Sequence, residues 1–180
     1  SLLDQYLSNH SDIAAIVIPH LHGNTVNLSF LEQISLRYSI PVIEDCAQSF
    51  LSSDDDGRLS GSVGKLSCFS FNPMKVLGGL GDAGLVLFDC PSFVDDAYSM
   101  RHSGLSSRDK TVSILSSNYR LDNLQASFLS ARLQFVQSKI TKKRELANVY
   151  SEFLDKRISI LVDNPLHSNY YCLQTLIPPS

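Results

Sequence analysis

Short apolar runs alternate with stretches of helical period through the first half of the chain, the pattern of an α/β sheet protein. Ile13 to Ile18 is a continuous apolar run of strand length, with Pro19 expected to end it. A helix is predicted next, its apolar stripe supplied by Leu28, Leu31, Ile34 and Leu36 ahead of Tyr38. Pro41-Val42-Ile43 opens a second strand that ends on two acids, Glu44 and Asp45. Ser52 to Gly64, rich in Ser, Asp and Gly, is expected to be a loop. Leu66 to Phe71 and Leu85 to Phe88 are further short strands, and the glycine-rich connection between them contains Lys75.

The second half changes period. Asp122 followed by Gln125 resembles a capping box, with Asp supplying the capping oxygen. Leu124, Phe128, Ala131 and Phe135 then recur at helical spacing, as do Leu146, Val149, Tyr150 and Phe153, which predicts one or two long helices over about 122–157. That stripe is expected to be core or interface, and the basic run from Lys139 to Arg144 a solvated face. Tyr170 to Ile177 has the pattern of one more strand, its tyrosines ordinary strand aromatics, followed at once by Pro178-Pro179-Ser180.

Composition narrows the class. The 180 residues can bury one sizeable core, and 43% hydrophobic with 18% charged residues is ordinary for a globular protein. A net charge of −3 argues against a basic nucleic-acid-binding surface. No apolar run approaches the roughly 20 residues that span a bilayer, so no membrane association is expected. The four cysteines, Cys46, Cys68, Cys90 and Cys172, follow no zinc spacing, which favours a reducing, cytoplasmic setting. The opening residues Ser1-Leu2-Leu3-Asp4-Gln5 carry no initiator Met and no signal-peptide core, and suggest the interior of a longer chain.

Two residues stand out chemically. Lys75 follows a strand, with Pro73 before it and Gly78, Gly79, Gly81 and Gly84 after it. On such a turn an amine can be desolvated and act as an imine-forming nucleophile, although most lysines are simply solvated. Asp45 ends a buried-looking strand, and ligands of open α/β sheets gather beyond the carboxyl ends of the strands. It suits either a cationic ring nitrogen or the N-cap of a following helix. Gln48 lies three residues on and could hydrogen-bond a ring substituent. Gly79 to Gly84 satisfies GxGxxG, but it leads into a strand and not a helix, so a dinucleotide site is rejected. His20 and His22 form an HxH pair with no Cys or carboxylate at ligand spacing, and no metal site is assigned.

EDCAQS at 44–49, CFSFNPMK at 68–75 with its trailing GGLGDAG, MRHSG at 100–104 and NYRLDNLQAS at 118–127 occur in one order. Together they resemble the DegT/StrS sugar aminotransferases, pyridoxal phosphate (PLP) enzymes of fold type I. The resemblance runs from PHLHG at Pro19 to the helix near Tyr150. It implies that Lys75 carries the cofactor and moves the substrate α-proton. It further implies that Asp45 keeps the pyridine nitrogen protonated, Gln48 contacts the ring near its 3′-oxygen and Ser70 binds the phosphate. Asn118 is implied to reach the cofactor phosphate of a second subunit in a homodimer with shared sites. Arg101 and His102 match the family's basic motif without an assigned role.

Under that resemblance 1–121 is part of the large PLP-binding domain, 122–157 the connecting helices and 158–180 the start of a smaller C-terminal domain. The substrate class implied is a nucleotide-activated keto sugar with glutamate as amino donor. The family's sugar dehydratases carry His where Lys75 stands, so transamination is favoured, and GGLGDAG leans toward 3-keto sugars. Ser49-Phe50-Leu51, Val76, His22 and Asn27 depart from the family's usual residues. Phe50 and Val76 motivate the alternative of a non-catalytic or regulatory relative of the same fold, and the expected truncation that of an inactive piece. Residues 1–180 alone are expected to bind PLP weakly or not at all, and not to turn over.

Overall fold

The computed structural model describes residues 1–162 and 164–178, so Pro179 and Ser180 at the end of the expected tail lie outside the described residues. Its centre is a four-stranded sheet in the order β1-β2-β3-β4. The strands are β1 (Ile16–Pro19), β2 (Val42–Asp45), β3 (Leu66–Ser70) and β4 (Gly84–Phe88). β1, β2 and β3 run parallel, and β4 returns antiparallel to β3 with Ser70 opposite Gly84. The register sets Pro19 against Asp45 and Asp45 against Cys68, so the carboxyl ends of the parallel strands share one sheet edge.

Alternation along the strands decides which face is covered. Ile16, Val42 and Ser67 are buried, whereas Val17, Asp45 and Cys68 are exposed on the opposite face. The covered face packs against α1 (Leu2–Asn9) and α2 (Leu28–Tyr38) through Leu7, Leu28, Leu31 and Ile34. Asn27 caps α2 by accepting the Phe30 N–H at 2.7 Å, a short polar oxygen satisfying a first-turn donor. Leu36, expected on the apolar stripe, is exposed instead. α1 has no counterpart in the sequence-based expectation, and β1 begins at Ile16 rather than Ile13 and includes Pro19.

Beyond α3 (Val94–Arg101), the predicted long helical stretch is two helices, α4 (Asn123–Leu133) and α5 (Val136–Phe153). Their buried residues are Leu129, Val136, Ile140 and Ala147, which pack with Val76 and Leu77 of the lysine turn or lie close by in sequence. The stripe expected to be core or interface is largely exposed, with Leu124, Phe135, Leu146 and Phe153 open to solvent. Asp122 occupies the N-cap position of α4 without a side-chain capping bond, so no capping box forms.

The expected strand over Tyr170–Ile177 shrinks to β6 (Thr175–Leu176), which pairs antiparallel with β5 (Ser159–Ile160). Residues 167–172 are not strand; they fold back onto the sheet edge. Ser53 N–H donates to the His167 carbonyl, Asn169 N–H to the Gly23 carbonyl and Cys172 N–H to the His22 carbonyl. Gly23 permits this approach: its φ is +98°, and a Cβ there would lie 2.7 Å from the Tyr171 nitrogen. Gly23→Ala is therefore expected to cost roughly 2–3 kcal/mol of stability from strained φ and forced overlap. A urea midpoint equal to the parent's would contradict this.

Candidate active site at the sheet edge

Asp45 is the last residue of β2, and its carboxylate stands at the exposed sheet edge. Its Oδ1 accepts the Ala47 N–H at 3.0 Å, and among the described residues no donor reaches Oδ2. A turn follows β2 where the N-cap alternative needed a helix, so that alternative falls. Gln48 lies in the same turn. Its Oε1 accepts the His22 N–H at 2.7 Å, which leaves the amide N–H₂ as the group available to an acceptor.

Ser70 ends β3, and its Oγ accepts the Asn72 N–H at 3.4 Å while, among the described residues, its own O–H has no acceptor and can donate. Lys75 sits on the turn immediately after, closed by its N–H donating to the Asn72 carbonyl at 2.8 Å. Its Nζ lies 4.6 Å from the centre of the Tyr171 ring. Asp45, Gln48, Ser70 and Lys75 thus occupy neighbouring carboxyl ends of parallel strands or the turns that leave them. Asn118 does not join them: it is exposed, bridges His102 through the backbone, and its Oδ1 accepts from Arg120.

The lysine turn is held from outside by α4 and α5. Gln125, expected in a capping box, accepts the Leu80 N–H at 2.8 Å through Oε1. Arg132 donates to the Gly78 carbonyl at 2.8 Å, and Lys139 donates to the Val76 carbonyl at 2.8 Å. Lys143 and Arg144 donate to the Tyr170 and Ser168 carbonyls, at 2.7 and 2.8 Å. Within the run expected to be a solvated face, Lys139, Lys143 and Arg144 are therefore half-buried anchors, while Lys142 is exposed. Burial first, then the charges of Arg132 and Lys143, pushes the Lys139 ammonium below its usual range, and burial does the same to Lys143.

Behind the edge, on the covered face, Glu44 and His20 are fully buried and meet at 2.8 Å. Val26 N–H donates to His20 Nδ1 at 3.3 Å, which places the ring proton on Nε2, facing Glu44. Glu44 also accepts the N–H groups of Gly61, Val63 and Gly64. Burial alone would raise its pKa, but the bonds from His20, Gly64, Gly61 and Val63 together hold it below the ordinary value near 4.5. Cys46 lies close to this pair, and burial pushes its thiol up to about 12, so it is a poor ligand. With both His20 nitrogens and both Glu44 oxygens engaged, the trio is a structural network.

A polar cleft of about 280 Å³ lies elsewhere, lined by Asn24, Thr25 and Asp54 to Asp56 among others, and contains none of the candidate residues. Its acids are engaged internally: Asp54 with Arg58, Asp55 with Asn164 and Asp56 with Ser29. The sheet edge, in contrast, combines an amine, an open carboxylate oxygen, a free amide and a free hydroxyl.

A model of the DegT/DnrJ/EryC1/StrS aminotransferase family matches residues 6–178. The chain belongs to that family. A dTDP-3-amino-3,4,6-trideoxy-α-D-glucose transaminase of Micromonospora megalomicea subsp. nigra is 32% identical over 140 residues, 78% of this chain and 37% of that protein. A protein of Geobacillus stearothermophilus named a pleiotropic regulatory protein is 30% identical over 152 residues, 84% of this chain and 40% of that protein. The crystal structure of a DegT/DnrJ/EryC1/StrS aminotransferase from Brucella abortus superposes with a TM-score of 0.81 at 25% identity. It covers 91% of this chain and 44% of that one. This DegT/StrS chain therefore spans under half the length of these relatives, and its α/β architecture is that of the fold type I aminotransferases.

Proposed function

We propose that the chain carries the cofactor-lysine part of a PLP-dependent aminotransferase acting on a nucleotide-activated keto sugar, with glutamate as amino donor. The observation that carries this reading is that Asp45 and Ser70 end the adjacent parallel strands β2 and β3, with Lys75 on the turn that leaves β3. That donor set fits PLP: an amine, a carboxylate for a ring nitrogen, and a hydroxyl for a phosphate. When bound, PLP supplies an electron-accepting ring.

The chain's own groups do the rest. Lys75 holds the cofactor and, as a free amine, takes the α-proton of the donor and later returns one to the sugar carbon. Asp45 keeps a proton at the ring nitrogen through its open Oδ2. The Gln48 amide donates to the ring oxygen, since its own Oε1 is committed to His22. Ser70 donates to a phosphate oxygen. Asn118, apart from this group, serves the site of a second subunit in a homodimer. Residues 1–121 then belong to the large domain, 122–157 to connecting helices and 158–180 to the start of a smaller domain, and the enzyme works in the cytoplasm.

The Micromonospora relative's name supports a dTDP- or similarly activated sugar aminated at C3, in line with the GGLGDAG lean. The Geobacillus relative's name raises a regulatory role, but retention of Lys75 with Asp45 and Ser70 favours catalysis. The test incubates the intact protein with PLP, glutamate and nucleotide-linked 3-keto and 4-keto sugars. Formation of 2-oxoglutarate with the 3-amino sugar is expected. Turnover of the 4-keto sugar alone would overturn the positional assignment, and turnover of neither would overturn the function.

A further inference from the structure

Tyr171 is the one residue outside the lysine turn whose ring meets the Lys75 amine among the described residues, with Nζ 4.6 Å from the ring centroid. A π-face at that distance attracts an ammonium. The contact is fixed at both ends from one helix. Lys139 of α5 donates to the Val76 carbonyl and, at 3.4 Å, to the Lys75 carbonyl. One turn on, Lys143 donates to the Tyr170 carbonyl and, at 3.4 Å, to that of Tyr171.

The segment bearing the ring is equally constrained from the sheet side. Asn169 is fully buried, and its side-chain amide donates to the Gln48 and Phe50 carbonyls at 3.1 and 2.9 Å. Its Oδ1 accepts the Tyr171 N–H at 2.8 Å, and Tyr170 holds a φ of 49° beside it. A non-glycine residue is kept in that conformation only where its surroundings over-determine it. This segment spans the gap between the turn of Gln48 and the turn of Lys75.

We propose that Tyr171 is a positioning residue for Lys75, its ring face holding the ε-ammonium at the sheet edge whenever the amine is not bonded to cofactor. The proposal deepens the aminotransferase reading and rests on Lys75 being the reactive amine. The ring face holds the amine against the sheet edge, so removing the face frees Lys75 to a reagent while removing only the hydroxyl does not.

The test uses cofactor-free intact protein and the rate at which trinitrobenzenesulfonate labels Lys75, located by peptide mass mapping. Exposed Lys156 serves as internal reference and circular dichroism checks folding. Tyr171→Leu is expected to label Lys75 roughly two- to fivefold faster than the parent, the fold-change equivalent to an ordinary cation–π contact. Tyr171→Phe is expected to label at the parent rate. Lys143→Met, which keeps the ring but frees its backbone, is expected to label faster than the parent. Parent-like labelling in both Tyr171→Leu and Lys143→Met, or labelling in Tyr171→Phe as fast as in Tyr171→Leu, would overturn the proposal. Labelling does not depend on turnover, so its failure is distinct from failure of the aminotransferase assignment.

Discussion

Lys75→Ala in the intact protein is expected to lower amino-group transfer by at least roughly 10²–10⁴-fold, the span that removal of a positioned acid–base group produces. On the proposed function the loss combines the anchoring amine with the proton carrier, and among the described residues no free amine is bonded to the same turn. Lys139 is the lysine bonded to the same turn, yet its ammonium is committed to the Val76 and Lys75 carbonyls. The fold should survive, because the turn is held by the Lys75 N–H, Gln125, Arg132 and Lys139, none of which needs the Lys75 side chain. Steady-state assay with glutamate and the keto sugar, with circular dichroism on the same sample, checks this. Activity within tenfold of the parent would remove Lys75 from the chemistry.

Glu44→Ala is expected to be the most damaging single change to stability, at about 3–5 kcal/mol, the cost of breaking a buried hydrogen-bonded pair from one side. The side chain is wholly buried and accepts from His20 and from three backbone N–H groups, at Gly61, Val63 and Gly64. Alanine would leave all four donors facing a dry void. Glu44→Gln should cost less but remain destabilising, because its N–H₂ end turns a donor toward N–H groups. The same pair predicts the direction of acid sensitivity. Glu44 has a folded pKa below its ordinary value near 4.5, so its contribution is present above that pH. It is lost as the pH falls through the lower folded value. Urea unfolding at neutral and acid pH tests both points. A loss under 1 kcal/mol for Glu44→Ala, or a Glu44→Ala variant whose stability falls as steeply as the parent's below about pH 4, would contradict the account.

The strands, and the edge that Asp45 and Ser70 share, were legible because both depend on local pattern. Val42 to Asp45 and Leu66 to Ser70 are apolar runs ended by polar residues, and a parallel sheet brings such ends to one edge. What sequence could not show was partnership across long separations. Gln125 looked like a cap because it stands three residues after Asp122, yet its side chain serves Leu80, 45 residues away. Lys139, Lys143 and Arg144 looked solvated because charge runs usually are, whereas here backbone carbonyls turned away from any sheet needed donors. Tyr170 and Tyr171 looked like ordinary strand aromatics, but Lys143 and Asn169 hold that backbone in place of a strand ladder. Glu44 could have been found: strand parity sets it opposite Asp45, on the covered face, where a carboxylate requires donors. The helical stripe of Leu124, Phe135 and Phe153 shows the converse, a strong period that remains exposed on this chain.

The most direct test of the central claim is covalent. The intact protein is incubated with PLP, its absorbance recorded toward the visible, and the complex reduced with borohydride before proteolysis and mass mapping. The account predicts a new absorbance band that reduction abolishes, with the cofactor fixed on the peptide containing Lys75 and absent from Lys75→Ala. Fixation on Lys139 or any other lysine in place of Lys75, or no fixation in the folded parent protein, would contradict it.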